Sequence, residues 1–335
     1  MKITRVWLML TDKCNLNCSF CYQKNKGSFE SSMDTVEKAI EFILENSVEN
    51  VEIMLWGGEP LLRFDLIKET IARHPCLNLR IATNGHLLTQ EMVDFFYEYR
   101  DTFGICLSLE VGKKCPKLFK LPLLFPNFFV HLIVTDVSKA FSSVLDLYKQ
   151  GVKRIQIGLA HAQEYSDTEF TMYAEELKKI LLLYRKDFFK EDRFTILNWD
   201  DRLREHFMNR SKYLNYCGAG CTAIAITPEG DIYPCDWFYD LKKYKMGDIW
   251  TGFSDTRNLF LDINKNRHKY FSDCNECPIK EQCGSHMCLA ENYLIHKSIY
   301  KSVDSTCKVT ILERELVIKE GMKEPQLRRP LWKSQ

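Results

Sequence analysis

The stretch Cys14-Asn15-Leu16-Asn17-Cys18-Ser19-Phe20-Cys21 decides how the chain is read. It sets three cysteines at spacing C-x3-C-x2-C, directly after the apolar run Ile3 to Leu10. Thiolates are soft ligands that suit iron–sulfur clusters and zinc. Three of them this close together can hold three irons of a cubane, whereas most iron–sulfur proteins close the cluster with a fourth cysteine. A missing fourth ligand leaves an iron on which a substrate or cofactor can bind directly. Half of a zinc site, or a chance cluster, also fits the triplet taken alone.

Outward from the triplet, short β-like runs alternate with longer helical ones, the pattern of βα units on a parallel sheet. Ile3–Leu10 is the first expected strand. Asp34–Asn46 carries Val36, Ala39, Ile40, Ile43 and Leu44 at helical spacing. Val51–Trp56, Leu79–Ala82, Phe103–Leu109, Phe128–Thr135 and Arg154–Leu159 are the next five expected strands. Helices are expected over Leu62–Arg73, from an N-cap at Thr89 to Tyr99, over Ser138–Gln150 with Gly151 closing it, and over Glu169–Phe188. The charged segment from Lys190 to Tyr213 reads as a linker helix and marks the expected domain boundary.

The 335 residues suffice for one large domain and a smaller one. Hydrophobic residues make up 45% and charged residues 27%, and the net charge is +1. That balance gives no global field for nucleic acid or acidic membranes, so neither partner is expected. No apolar run reaches the ~18 residues of a membrane span, and the amino terminus lacks a secretory signal. Of 14 cysteines, three lie at 14–21 and eight at 217–307. This clustering without a secretion signal points to metal ligation in a reducing cytoplasm rather than disulfides. Cys76, Cys106 and Cys115 read as ordinary buried or loop residues.

Turn motifs follow the early strands. Gly57-Gly58-Glu59-Pro60 comes after the second strand, where two glycines permit close backbone approach and the carboxylate can accept from a cationic amine. A tight surface turn fits the same residues. Thr83-Asn84-Gly85 follows the third strand, and Ser108 sits near the end of the fourth in Leu107-Ser108-Leu109-Glu110-Val111-Gly112.

Together these residues resemble the radical S-adenosylmethionine (radical SAM) enzymes. Cys14, Cys18 and Cys21, with Phe20 before the last, match the family's signature loop. The resemblance implies a partial (β/α)6 barrel in an α/β fold, with ligands gathered at the C-terminal ends of the strands. It implies a [4Fe-4S] cluster whose open iron binds S-adenosylmethionine, and reductive cleavage of that cofactor to a 5'-deoxyadenosyl radical that abstracts hydrogen. Gly57, Gly58 and Glu59 would hold the methionyl amine, with Trp56 packed beneath. Asn84 belongs to the family's turn at the barrel mouth, and Ser108 would touch the ribose. Glu110 and the inserted Val111 depart from the family's Ser-Leu-Asp-Gly.

The second cysteine block carries Cys217, Cys221, Cys235, Cys274, Cys277, Cys283, Cys288 and Cys307, the number that two closed cubanes need. Ala223–Ile226 and Ile232–Cys235, joined by the turn Pro228-Glu229-Gly230-Asp231, read as a β-hairpin that returns Cys235 to the side of Cys221. The block resembles the SPASM extension of radical SAM enzymes that modify peptides and proteins. By that resemblance Cys217, Cys221, Cys235 and Cys288 hold one auxiliary cluster, and Cys274, Cys277, Cys283 and Cys307 a second. Cys288 comes one residue later than in the family pattern and the gap to Cys307 is one longer, slips that the loop Gly284-Ser285-His286-Met287 can absorb. Two structural zinc sites fit the C-x2-C pair equally. His286 reads as a loop residue and the basic tail Lys323–Gln335 as a solvated end.

The expectation is a radical SAM barrel over residues 1–200, a SPASM domain over 201–312 and a tail over 313–335. It would bind S-adenosylmethionine and three [4Fe-4S] clusters. It would oxidise a residue of a ribosomally made precursor peptide, forming a thioether or carbon–carbon crosslink. A flavodoxin- or ferredoxin-type reductant is expected. With the first strand close to Met1, a separate leader-peptide-binding protein or the barrel mouth would present the peptide. A sulfatase-maturase role, making formylglycine, is the alternative and calls for an acidic base that no motif places. A non-catalytic iron–sulfur or zinc scaffold is the reading from another class.

Overall fold

The computed structural model describes residues 1–23, 27–113, 121–161, 163–187, 190, 193–208, 217–277, 279–280, 283 and 288–321. Cys115, His286 with its loop 284–287, and the tail 323–335 lie outside the described residues. In chain order the elements run β1 (Ile3–Thr11), α1 (Met33–Asn46), β2 (Ser47–Gly57), α2 (Phe64–Arg73), β3 (Asn78–Thr83), α3 (Gln90–Glu98) and β4 (Phe103–Glu110). They continue with α4 (Leu121–Leu124), β5 (Phe129–Val134), α5 (Ala140–Lys149), β6 (Arg154–Leu159), α6 (Asp167–Asp187), β7 (Thr195–Ile196) and α7 (Leu197–Met208). The cysteine-rich part adds β8 (Ala223–Ile226), β9 (Ile232–Tyr233), β10 (Gly247–Asp248), β11 (Gly252–Phe253), α8 (Thr256–Lys265), α9 (Arg267–Tyr270), α10 (Leu289–His296) and α11 (Asp304–Gly321).

Two compact units divide the chain. The first comprises Met1–Leu109, Lys113–His131 and Cys217–Arg267; the second comprises Glu110–Gly112, Leu132–Tyr216 and His268–Gln335. In the first unit the strand order is β4-β3-β2-β1-β8-β9. Every pair is parallel except the β8–β9 hairpin, in which Ala225 faces Tyr233. Leu8 on β1 sits between Leu55 on β2 and Ile226 on β8. The hairpin is therefore not free-standing. Ala223–Ile226 is an unbroken apolar run buried at all four positions, as a strand covered on both faces must be, and β1 offered it an open edge.

The α1 stripe buries Val36, Ala39, Ile40 and Ile43, capped by Ser32, whose hydroxyl accepts from Thr35 N–H at 3.1 Å. Leu44, placed in that stripe by its spacing, is 50% exposed, while Phe42 is buried edge-on to Phe253 of β11. Tertiary contact overrides helical phase here. Thr89 caps α3 as expected, accepting from Met92 N–H at 3.2 Å. On one face of the sheet Met54, Ala82 and Cys106 pack with Trp7, Trp56 and Phe129.

The second unit takes β5 from Leu132 onward, then β6 and β7, with β6 and β7 parallel and Ile155 opposite Ile196. The segment expected as a linker helix holds a helix and, ahead of it, the short strand β7. Thr195 N–H donates to Lys153 O at 2.7 Å, and α7 buries Trp199 edge-on to Tyr184 of α6 at 5.6 Å. Among the described residues no helix is long and apolar enough to cross a membrane.

Candidate functional site

The cysteine loop leaves the C-terminal end of β1. Cys14, Cys18 and Cys21 are free thiols, partly accessible, and Phe20 is partly buried. Leu16 N–H points at Cys14 Sγ (3.4 Å), and Cys21 N–H closes a turn on Cys18 O (3.1 Å). A backbone donor on a ligand sulfur is one of the devices that tune iron–sulfur centres, so the donor set and loop fit a cluster.

The two glycines bring the end of β2 against the root of the cysteine loop. Gly57 faces Thr11 across the β1–β2 pair, with φ +152°, and a Cβ there would meet Thr11 O at 2.2 Å. A Cβ on Gly58 would lie 2.1 Å from Lys13 O. Gly58 N–H donates to Thr11 O, and Glu59 N–H to Lys13 O, both at 2.8 Å. The absent side chains thus let β2 clasp the root of the cysteine loop.

Glu59 is 1% exposed. Its Oε1 accepts from Leu61 N–H (3.0 Å) and the Thr83 hydroxyl (2.7 Å), and its Oε2 from Asn84 N–H (2.9 Å). Burial raises its carboxyl above the ordinary value, and the bonds from Asn84, Thr83 and Leu61 pull against that rise. Asn84 in turn donates from Nδ2 to Asn15 Oδ1 at 2.9 Å. One chain of bonds therefore runs from Glu59 through the Thr83-Asn84-Gly85 turn to the cysteine loop. Trp56 packs with Met54, Ala82 and Cys106 on one face of the sheet, and its indole Nε1–H donates to the Tyr22 hydroxyl at 2.9 Å. Ser108 is partly buried, and its hydroxyl makes no hydrogen bond among the described residues, so it remains available to a ligand. Glu110 instead accepts from the Thr135 hydroxyl at 3.0 Å.

Sequence reasoning missed Tyr22, Asp236, Trp237, Asp12 and Tyr239. Tyr22 directly follows Cys21, and Asp236-Trp237 directly follows Cys235. The Tyr22 hydroxyl donates to Asp236 Oδ2, and its ring stacks on Trp237 with centroids 4.7 Å apart. Asp236 is 5% exposed, and burial pushes its carboxyl up to about 6 against the bonds from Tyr22 and nearby backbone N–H groups. The Tyr239 hydroxyl donates to the buried carboxylate of Asp12 at 3.1 Å, a second tie between the two segments. The signal was there, a tyrosine and an acid each next to a cysteine of one of the two blocks, but only the fold pairs them.

The first unit also holds Cys217, Cys221 and Cys235. Cys221 and Cys235 are buried, and Gly220 N–H donates to Pro234 O at 3.0 Å, which brings the hairpin's return beside Cys221 as expected. Burial pushes the Cys221 thiol up to about 11, with Cys217 adding to the rise. The second unit holds Cys274, Cys277, Cys283, Cys288 and Cys307. The Cys307 thiol is pushed up to about 12, first by burial and then by the neighbouring Cys283, Cys274 and Cys277. Cys283, Cys274 and Cys277 therefore lie near enough to Cys307 to act on its thiol, and a bound cation would favour such sulfurs as thiolates. Among the described residues no three His, Cys, Asp or Glu side chains converge as one metal ion requires; a cubane binds each sulfur to a different iron and spreads its ligands wider.

Residues 8–114 match the Radical SAM superfamily, and residues 217–278 match SPASM, an iron–sulfur cluster-binding domain. The chain is 25% identical over 318 residues to the cysteine-type anaerobic sulfatase-maturating enzyme of Clostridium novyi, spanning 80% of this chain and 84% of that one. It is 37% identical over 259 residues to a probable GTP 3',8-cyclase of Methanococcus maripaludis (strain C7), spanning 68% and 83%. A solved structure, native anSMEcpe with bound AdoMet and Cp18Cys peptide, superposes with a TM-score of 0.69 at 19% identity, covering 96% of this chain and 98% of that one; at that identity the likeness is one of fold. The three-cysteine loop at the end of β1, the parallel α/β sheet behind it and the cysteine-rich block agree with both matches, and the chain belongs to the radical SAM superfamily and carries a SPASM domain.

Proposed function

We propose that this chain oxidises a residue of a ribosomally made precursor peptide, forming a thioether or carbon–carbon crosslink. Cys14, Cys18 and Cys21 would hold the [4Fe-4S] cluster that binds S-adenosylmethionine. The pair would supply hydrogen-atom abstraction from a C–H bond, and the rest falls to this chain's own residues. The clasp of Gly57, Gly58 and Glu59 fixes the loop that presents the cluster and would face the methionyl end. Asn84 ties the Thr83-Asn84-Gly85 turn to Asn15, and the Ser108 hydroxyl is open to the ribose. Cys217, Cys221, Cys235 and Cys288 would ligate one auxiliary cluster and Cys274, Cys277, Cys283 and Cys307 the other. A flavodoxin- or ferredoxin-type protein would supply electrons, and a separate leader-binding protein would deliver the peptide. The division at 1–200, 201–312 and 313–335 is proposed on the same cysteine distribution.

The observation that carries the reading is the Tyr22–Asp236 pair. A two-electron oxidation that removes one hydrogen as an atom must place the second as a proton. A buried carboxylate beside the cysteine loop, already holding a hydroxyl hydrogen bond, is a group suited to receive it. The same acid favours a second reading, formylglycine formation on a sulfatase; the Clostridium novyi relative is named a cysteine-type anaerobic sulfatase-maturating enzyme.

The test is anaerobic reconstitution with iron and sulfide, then S-adenosylmethionine and dithionite. Three substrates are compared: the peptide of a neighbouring short open reading frame, a sulfatase peptide, and GTP, named for the other relative. 5'-Deoxyadenosine and a precursor peptide lighter by two hydrogens are expected. Formylglycine on the sulfatase peptide selects the second reading. Turnover of GTP alone, or no cleavage of the cofactor with the first cluster intact, refutes both.

A further inference from the structure

Two cysteine blocks far apart in sequence meet in the first unit through three side chains. Tyr22 is bonded covalently to Cys21, and Asp236 to Cys235, with Trp237 next. Between these backbones lies a single non-covalent step, taken twice: the hydrogen bond from the Tyr22 hydroxyl to Asp236, and the stack of Tyr22 on Trp237 at 4.7 Å with planes 21° apart. Trp56 anchors the tyrosine from β2 through its indole N–H at 2.9 Å. The aromatic contact sits in the distance range of an attractive pair. Purely structural packing would be served as well by aliphatic residues; a polar, aromatic bridge with a buried carboxylate costs desolvation and needs a further reason.

We propose that Tyr22, Asp236 and Trp237 form an electron bridge between the iron–sulfur centre on Cys14, Cys18 and Cys21 and the centre that includes Cys217, Cys221 and Cys235. This rests on the proposed assignment of those two centres. Electronic coupling falls far less steeply along bonds than across gaps, and here only one gap separates two ligand cysteines. The step is a one-electron transfer. The auxiliary centre, reduced by a flavodoxin- or ferredoxin-type donor, is oxidised by one electron, and the first centre is reduced by one. No bond breaks and no proton leaves. The same path run in reverse returns an electron taken from the substrate.

The test uses the reconstituted holoprotein, photoreduced by 5-deazaflavin and frozen at set times. Electron paramagnetic resonance reports which centre holds the electron, and added S-adenosylmethionine marks the first centre by shifting its signal. Trp237→Leu removes the stack, Trp237→Phe keeps an aromatic face, and Tyr22→Phe keeps the stack but removes the hydrogen bond. Equilibration between the centres is expected to slow several-fold in Trp237→Leu and recover in Trp237→Phe, with iron content and both reduction potentials unchanged. Tyr22→Phe is expected to fall between them. Wild-type rates in both Trp237→Leu and Tyr22→Phe overturn the bridge. So does equal slowing in Trp237→Leu and Trp237→Phe, which indicates a packing defect. Iron counting separates the two failures: a wild-type protein loading only the first cluster refutes the assignment of centres and the bridge with it. Slow transfer between two loaded clusters in the wild type refutes the bridge alone.

Discussion

Gly58→Ala is the sharpest probe of how the fold presents the first cluster. The new Cβ would sit 2.1 Å from Lys13 O, 2.5 Å from Lys13 C and 2.7 Å from Asp12 O, all backbone atoms. Real contacts of this kind stay beyond 3.0 Å, so the Lys13 carbonyl must retreat by about 0.9 Å. That movement breaks the 2.8 Å bonds from Gly58 N–H to Thr11 O and from Glu59 N–H to Lys13 O. Two net hydrogen bonds are worth about 1–3 kcal/mol, and the displaced carbonyl belongs to the residue before Cys14. The expected outcome is a lower thermal midpoint together with loss of first-cluster iron, read by iron and sulfide counting on oxygen-free protein. Gly151→Ala is the control. Its φ of +85° strains any side chain, but a Cβ there meets nothing within 4 Å, so it should cost about 1–2 kcal/mol with no loss of iron. A Gly58→Ala protein with full iron and a wild-type midpoint would show that the clasp does not hold the loop.

Glu59→Gln turns an acceptor facing Asn84 N–H into a donor or leaves one of its three bonds unmade, at about 1–3 kcal/mol; S-adenosylmethionine should then perturb the cluster's resonance signal less, and an unchanged response argues against any role for the carboxylate. Asp236→Asn should abolish modified peptide while 5'-deoxyadenosine still forms, whereas loss of both places Asp236 in the support of the cluster. Glu313 on α11, held by Asn198, has its carboxyl pushed up to about 6 by burial. Being raised above 4.5, its favourable contribution is full below about pH 4.5 and is lost as pH climbs through about 6. Glu313→Gln should therefore gain about 2 kcal/mol relative to wild type between those limits and neutral pH, seen as a pH-dependent difference in thermal midpoint. A constant difference across that range refutes the assignment.

Much of this was legible before any coordinates. Apolar runs bounded by turns located the early strands, and β6 falls on the residues expected for it, where Ile155 and Ile157 are buried and alternate with more exposed neighbours. Ser32 and Thr89 show that caps are local chemistry. The Thr83-Asn84-Gly85 turn was readable for the same reason: tight turns close over a few residues. What eluded the sequence depended on distant partners. Leu44 and Phe42 exchanged places because Phe253 reached α1. The segment after Lys190 looked like a linker, since a two-residue strand carries almost no periodic signal until β6 supplies its partner.

Local chemistry thus carried the cysteine spacings, the alternation of strand and helix, and the family. The tertiary structure alone decided what the glycines of Gly57-Gly58-Glu59 do, that β8 extends the sheet from the edge of β1, and that Tyr22 finds Asp236 and Trp237 more than 200 residues away. Spacing and propensity act over a few residues, whereas a contact between distant segments exists only once the sheet between them has formed.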